Sequence, residues 1–295
     1  MTVLPRISPL ARDINLNSPL WRLGTVATSW AVGASACLFL RMTKLRVENV
    51  DTLHRAVLDR PPDVPLITVA NHISTLDDPV LWGLLKTSVF TTQIDKLRWI
   101  LGAQEICFQN DPLSVFFTCG KTIPIIRGRG VYQASMDFAV QRLDEGKWIH
   151  IYPEGKVHQD GTMLPFRWGV GRLIMDSVRP PILLPIYHRG MSKIHPLTGG
   201  WLPNPFGKSM EVTIGEPIDT SAWRGLGESQ STAFPSLIAG GTPPPQVLLS
   251  PREHRSWIAA RIQEQMRGLE ARVVGKGPRI VGADDPAVSK KAPWS

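Results

Sequence analysis

Six short apolar runs, each too brief for a helix, recur along this chain and set what it can fold into: Pro65–Ala70 (PLITVA), Arg98–Gly102 (RWILG), Thr122–Ile126 (TIPII), Trp148–Tyr152 (WIHIY), Ile182–Tyr187 (ILLPIY) and Met210–Ile214 (MEVTI). Five of them are nearly continuous instead of alternating, the pattern of strands covered on both faces. Between them lie helical patterns from Pro79, from Val131 to Leu143 and from Trp168 to Ser177. A last helix, starting near Ser250 or Pro251, sets Ile258, Ile262, Met266, Leu269 and Val273 on one stripe. The alternation predicts an α/β domain, a mostly parallel central sheet covered by helices.

With 295 residues, 43% of them apolar, the chain can bury a full core. Glycine and proline concentrate between Gly225 and Pro251 and after Gly275. The expected division is therefore an N-terminal segment (1–46), a main domain (47–273) with a loop insertion at about 225–250, and a disordered tail (274–295). Cys37, Cys107 and Cys119 are too few and too irregular for a disulfide framework or a metal site, and are expected buried and reduced. Lysine and arginine outnumber aspartate and glutamate by eight, which favours polyanions. No dense basic tract and no nucleic-acid module is present, so the polyanion expected is an anionic membrane and not nucleic acid.

The first nineteen residues, with Arg6 and Arg12, match neither a secretory signal nor a clear presequence. From Leu23 to Leu40 there is no charge, and Arg22 and Arg41 bracket the segment. As a helix these eighteen residues extend roughly 27 Å, just short of a hydrocarbon core of about 30 Å. Gly24, Thr25, Thr28, Ser29, Gly33 and Ser35 dilute the apolar character, whereas Trp21 and Trp30 favour the headgroup boundary. That mix predicts an anchoring helix at about 21–41, shallow or re-entrant, with Trp21, Leu23, Trp30, Leu38, Phe39 and Leu40 meeting the membrane.

Chemistry concentrates first in Asn71-His72-Ile73-Ser74-Thr75-Leu76-Asp77-Asp78-Pro79, which leaves a strand and enters a helix. Asp78 before Pro79 fits an N-cap, which leaves His72 and Asp77 on the connecting loop. A chain turning there can fold the Asp77 carboxylate back onto the His72 imidazole, holding one tautomer and stabilising the protonated ring. With no GxSxG and no neighbouring nucleophile, such a base would activate a hydroxyl of the substrate itself.

A second strand, in Gly120-Lys121-Thr122-Ile123-Pro124-Ile125-Ile126-Arg127-Gly128, delivers Arg127 at its end, where a guanidinium can grip a phosphate with two parallel hydrogen bonds. A third, Trp148-Ile149-His150-Ile151-Tyr152-Pro153-Glu154-Gly155-Lys156, ends in an acid, a glycine and a base. Glu154 is placed to accept a bond from Arg127 or from a substrate hydroxyl, and Lys156 adds positive field. Open parallel sheets bind ligands along the carboxyl ends of their strands, so the three ends make one candidate site.

These segments resemble the blocks of the NHx4D glycerolipid acyltransferases: NHISTLD the first, GKTIPIIRG the second, YPEGK the FPEG block, and LLPIYHRGM at Leu183–Met191 the fourth, whose Pro185-bearing strand helps wall an acyl pocket. Within that superfamily, Ile106-Cys107-Phe108, Val131-Tyr132-Gln133, Met136-Asp137-Phe138 and Phe166-Arg167-Trp168-Gly169 are similar to the tafazzins, over roughly Leu66 to Asp219. The resemblance implies a phospholipid–lysophospholipid transacylase that remodels cardiolipin without coenzyme A, metal or nucleotide, with His72 and Asp77 catalytic. Arg127, Glu154, Gly155 and Lys156 would hold the acceptor. It also implies a monotopic or peripheral protein on mitochondrial leaflets facing the intermembrane space. One departure stands out, since coenzyme A-dependent relatives carry arginine two places after the FPEG glycine, where this chain has Val157. Two rival readings are an acyl-coenzyme A-dependent lysophospholipid acyltransferase and a non-catalytic binder of anionic lipid.

Overall fold

The computed structural model describes residues 18–198, 202–224 and 249–275. The chain opens with α1 (Pro19–Arg41), β1 (Lys44–Glu48), α2 (Val50–Leu58), β2 (Leu66–Ala70) and α3 (Asp77–Trp82). Two single turns lead to β3 (Trp99–Ala103), α4 (Gln104–Cys107), α5 (Asp111–Cys119), β4 (Thr122–Ile125), α6 (Ala134–Asp144) and β5 (Trp148–Ile151). There follow α7 (Gly169–Asp176), β6 (Ile182–Arg189), α8 (Met191–Ile194), β7 (Ser209–Ile214), β8 (Ile218–Asp219), α9 (Ser221–Arg224) and α10 (Pro251–Gly275).

The strands form one eight-stranded sheet in the order β1-β7-β6-β2-β5-β3-β4, with β8 beside β6. Its centre is parallel: β2 pairs with β5 (Thr68 opposite His150) and with β6 (Thr68 opposite Leu184), while β3 pairs with β4 and β5. β7 and β8 run antiparallel to β6. The expected architecture holds, with β1 and β8 added to the six strands legible as apolar runs. β1 (KLRVE) was hidden because it is polar and no more than half-buried at the sheet edge.

Every residue of β2 is buried, so alternate side chains feed two separate cores. Leu66 and Ala70 join Leu53, Val57, Trp82, Leu184 and Ile186 on one face. Ile67 and Val69 join Met136, Leu143, Leu173, Ile258 and Ile262 on the other. The predicted stripe of α10 is buried throughout and lies on the sheet as a cover; at its tightest point a side chain on Gly171 of α7 would strike the Arg255 carbonyl at 2.3 Å.

Several expectations shift. α3 begins at Asp77 with Leu76 as N-cap, so Asp78 lies inside the helix and pairs with Arg98 instead of capping. α6 starts at Ala134, because the Gln133 side chain accepts the Ile126 N–H and donates to Gly130 O, holding 131–133 in a turn. All three cysteines are free, yet Cys37 and Cys107 are only half-buried. The expected boundary at residue 46 falls inside β1. Most of the expected 225–250 insertion and of the 274–295 tail lies outside the described residues.

Helix α1 is long and apolar enough to cross a membrane, but one side of it is occupied. Thr25, Ser29, Gly33, Ala36 and Leu40 form a buried stripe of mostly small residues. These let the helix close on the body: a side chain on Gly33 would meet the Phe90 ring at 2.7 Å, and one on Gly83 would meet Leu40 at 2.6 Å. Leu40 is thus 1% exposed and belongs to the core, correcting its expected place at a membrane. Trp21 stacks on Trp99, and Phe39 packs against the first core. Leu20, Leu23, Trp30 and Leu38 stay exposed on the outer side.

Candidate active site

The site forms where β2, β5 and β6 end together. After Ala70 the chain leaves the sheet, and Asn71 is at once fixed to β6. Its amide donates to His188 O (2.9 Å) and accepts the His188 N–H (2.9 Å), while its carbonyl takes a bond from His188 Nε2 (2.8 Å). His188 is therefore protonated on Nε2, and burial holds it below the usual histidine range.

The next residue is His72. Its Nδ1 lies 3.0 Å from Asp77 Oδ2, and the same oxygen accepts the backbone N–H groups of Ile73 (2.7 Å) and Ser74 (2.8 Å). Asp77 is fully buried, and His72 is 20% exposed. An ionised Asp77 that already takes two N–H donors keeps the proton of His72 on Nδ1, which leaves Nε2 as the open basic nitrogen. The five-residue spacing works because Asp77 is the first residue of α3, so its side chain sits at the helix start, where a negative charge is favoured.

Glu154 completes the cradle. Its Oε1 accepts the His72 N–H (2.8 Å) and its Oε2 the Leu164 N–H (2.9 Å), while His72 O accepts from His158 N (2.8 Å). Burial raises the Glu154 carboxyl above its ordinary range, against the lowering effect of those two N–H groups. The N–H groups of His72, Ile73 and Ser74 are thus all taken by carboxylates.

Behind His72, on the face shared with the first core, runs a buried polar seam. Trp148 Nε1 donates to Thr68 Oγ1 (2.8 Å), which is in turn hydrogen-bonded to His150 Nδ1 (2.6 Å). His150 is held well below the usual histidine range by burial and by Arg98. Its ring meets Tyr152 edge-on, and Tyr152 stacks flat on His72 with centroids 4.1 Å apart. The Tyr152 hydroxyl and His150 Nε2 are buried without a partner.

His72, Asp77 and Glu154 are therefore brought together, whereas Arg127 is not bonded to Glu154. It lies two residues beyond β4, 44% exposed, with its guanidinium on Glu105. Gly155 has φ +74°, and a side chain there would strike Arg167 Nε at 2.7 Å. Lys156 is exposed. Sequence reading passed over Tyr152 and Arg167. Tyr152 carries a signal in retrospect, since Trp148, His150 and Tyr152 alternate onto one face of β5 and its extension; Arg167 stands in a family-like stretch, but nothing local ties it to the glycine it covers, twelve residues away. A cleft of about 110 Å³ opens beside Glu154, lined by Asn71, His158, Gln159, Arg189 and Ser192. A second, largely apolar pocket is lined by Leu53, Leu81, Trp82, Leu85, Trp148 and Ile186 together with Asp78, Arg98 and His150. Among the described residues, no group of three or more His, Cys, Asp or Glu side chains is placed to hold a metal.

The acyltransferase family profile matches residues 44–189, which takes in the whole of this constellation. The N-acylphosphatidylethanolamine synthase of Arabidopsis thaliana is 47% identical over 184 residues, covering 60% of this chain and 63% of that protein. The taffazin of Dictyostelium discoideum is 40% identical over 194 residues, covering 63% of this chain and 67% of that protein. The chain thus spans about two thirds of the length of these relatives, and slightly less of the plant one. Among solved structures, the 1-acyl-sn-glycerophosphate acyltransferase of Thermotoga maritima superposes with a TM-score of 0.52 at 18% identity, covering 83% of this chain and 80% of that one. At that identity the likeness is one of fold.

Proposed function

Because the chain belongs to the acyltransferase family, among the tafazzins within the glycerolipid acyltransferases, we propose that it exchanges fatty acyl groups between phospholipids and lysophospholipids without coenzyme A. The observation that carries the chemistry is the His72–Asp77 pair, with Nδ1 tied to a buried carboxylate and Nε2 open. In this reading Nε2 takes the proton of the lysophospholipid hydroxyl as its oxygen attacks an ester carbonyl of the donor. The tetrahedral intermediate then expels the donor's glycerol oxygen, which receives that proton back from His72. One ester is consumed and one formed, so the exchange is reversible and product composition follows lipid supply.

Arg127, with Gly155 and Lys156, is assigned to the acceptor phosphate, and its use there requires it to leave Glu105. Glu154 acts by holding the base loop. Cardiolipin remodelling on mitochondrial leaflets facing the intermembrane space rests on the tafazzin likeness. Peripheral or monotopic attachment through the outer side of α1 rests on its exposed Leu23, Trp30 and Leu38.

The relative named for N-acylphosphatidylethanolamine synthesis favours a second reading, in which the acceptor is an amine and the product an amide. The same base would take the N–H proton. One assay separates the readings: a phospholipid labelled in its acyl chain is incubated with lysophospholipid or phosphatidylethanolamine, with and without acyl-coenzyme A. Transfer to the lysophospholipid without coenzyme A supports the main reading, and an alkali-resistant labelled product supports the amide. Transfer from acyl-coenzyme A alone, or no transfer at all, overturns both.

A further inference from the structure

We propose that the ring face of Tyr152 is a positioning element for His72, one that holds the imidazole in the plane where Nδ1 meets Asp77 and stabilises the imidazolium formed when Nε2 takes a proton. The inference rests on the transacylase reading for its kinetic consequence but on geometry for its substance. The two rings lie 4.1 Å apart and 18° from parallel. Tyr152 cannot easily tilt, because His150 meets it edge-on at 4.7 Å and is itself locked through Thr68 to Trp148. A cation within about 6 Å of an aromatic face is attracted by the ring quadrupole, and a neutral imidazole much less, so the stack favours the protonated ring over the neutral one.

The hydroxyl of Tyr152 is not the working part, since it is buried with no partner and its ionisation is pushed well upward by burial and by Asp78 and Asp77. Other titratable groups also face His72: Asp77 at 3.0 Å, Glu154 on its N–H, His158 on its carbonyl, and His150 and His188 on the strands behind. None of these residues is itself altered when Tyr152 alone is changed, and Tyr152→Phe keeps the ring against which His150 packs, so the contribution of the face is read by difference.

The test compares the full chain on liposomes with Tyr152→Phe, Tyr152→Leu and Tyr152→Met. Two readouts are taken across pH: the rate of acyl transfer, and carbethoxylation of His72 by diethyl pyrocarbonate followed by peptide mass spectrometry. In the Leu and Met variants the acid limb of both profiles is expected to move down by about half to one pH unit, a 3- to 10-fold change in proton affinity. Tyr152→Phe, which keeps the face, is expected to restore the wild-type limb. If whichever of Leu and Met folds shows the wild-type limb in both readouts, or if Phe shifts as far as they do, the inference is wrong. If the wild type transfers no acyl group, the functional reading fails while the carbethoxylation profile still decides the role of the ring.

Discussion

A single oxygen, Asp77 Oδ2, accepts from the His72 ring and from two backbone N–H groups of the same loop, so the aspartate is at once orienter and loop anchor. His72→Ala is expected to lower transfer by about 10²–10⁴-fold with an unchanged melting temperature, because the side chain is partly exposed and its work is proton transfer. Retention of more than a tenth of the rate would count against it. Asp77→Asn should cost activity comparably, by allowing the wrong tautomer, and should also lower the melting temperature, which separates it from His72→Ala. Another expectation concerns Lys121, 3% exposed, whose ammonium donates to Ile94 O and Leu97 O and is drawn down to about 7 by burial. Between about pH 7 and pH 10 the unfolded chain holds a proton there that the folded chain sheds, so this group makes stability rise with pH, at most by about 1.4 kcal/mol per unit. Urea titrations of wild type and Lys121→Met at pH 7, 8 and 9 should differ by that slope; parallel curves would show that the ammonium titrates normally. The His72–Asp77 pair was legible in the sequence because its two members stand only five positions apart, across one loop and the first residue of α3. The pairing of Arg127 with Glu105, twenty-two residues apart, was not, since nothing local records which cation finds which anion.

Among the elements, α1 shows where pattern reading reaches its limit. Its composition marks an anchoring helix, but small residues that dilute its apolar character, Thr25, Ser29 and Gly33, are on the side that packs on the protein. Only coordinates distinguish a Gly and Ser stripe that meets Phe90 and Gly83 from one that dilutes a membrane span. The two sides should respond differently to substitution. Trp30→Glu and Leu38→Glu, on the outer side, are expected to reduce sedimentation with liposomes in high salt while leaving the melting temperature within a degree or two. Gly83→Leu should do the reverse, lowering stability by about 1–3 kcal/mol through its clash with Leu40 and the Ala36 backbone. Should the outer-side variants still sediment fully, the attachment lies elsewhere, and the exposed Ile106, Val115 and Phe116 of α4 and α5 become the place to look. Val80–Leu85, a second apolar stretch that invites the same idea, is core.

Taken whole, the molecule was readable wherever a strand is buried on both faces, because continuous apolar runs have few other uses. It was unreadable at the rim, where β1 gains its place from pairing with β7, more than 160 residues away. The two cores depend on opposite sheet faces, so a cavity in one should leave the other intact. Ile262→Ala, under α10, is expected to cost about 2–5 kcal/mol, with hydrogen exchange rising first across α7 and α10; simultaneous loss of protection in α2 and α3 would mean the two layers unfold as one. Two residues, Met42 and Thr43, join α1 to β1, and Thr43 ties back to Leu40 through its hydroxyl. The helix has no slack in which to swing. A lipid surface meeting Leu23, Trp30 and Leu38 would stand at one set height from His72, as work stands under a drill on a fixed column. Each ester would then have to be carried to the bit by the drift of the lipids themselves.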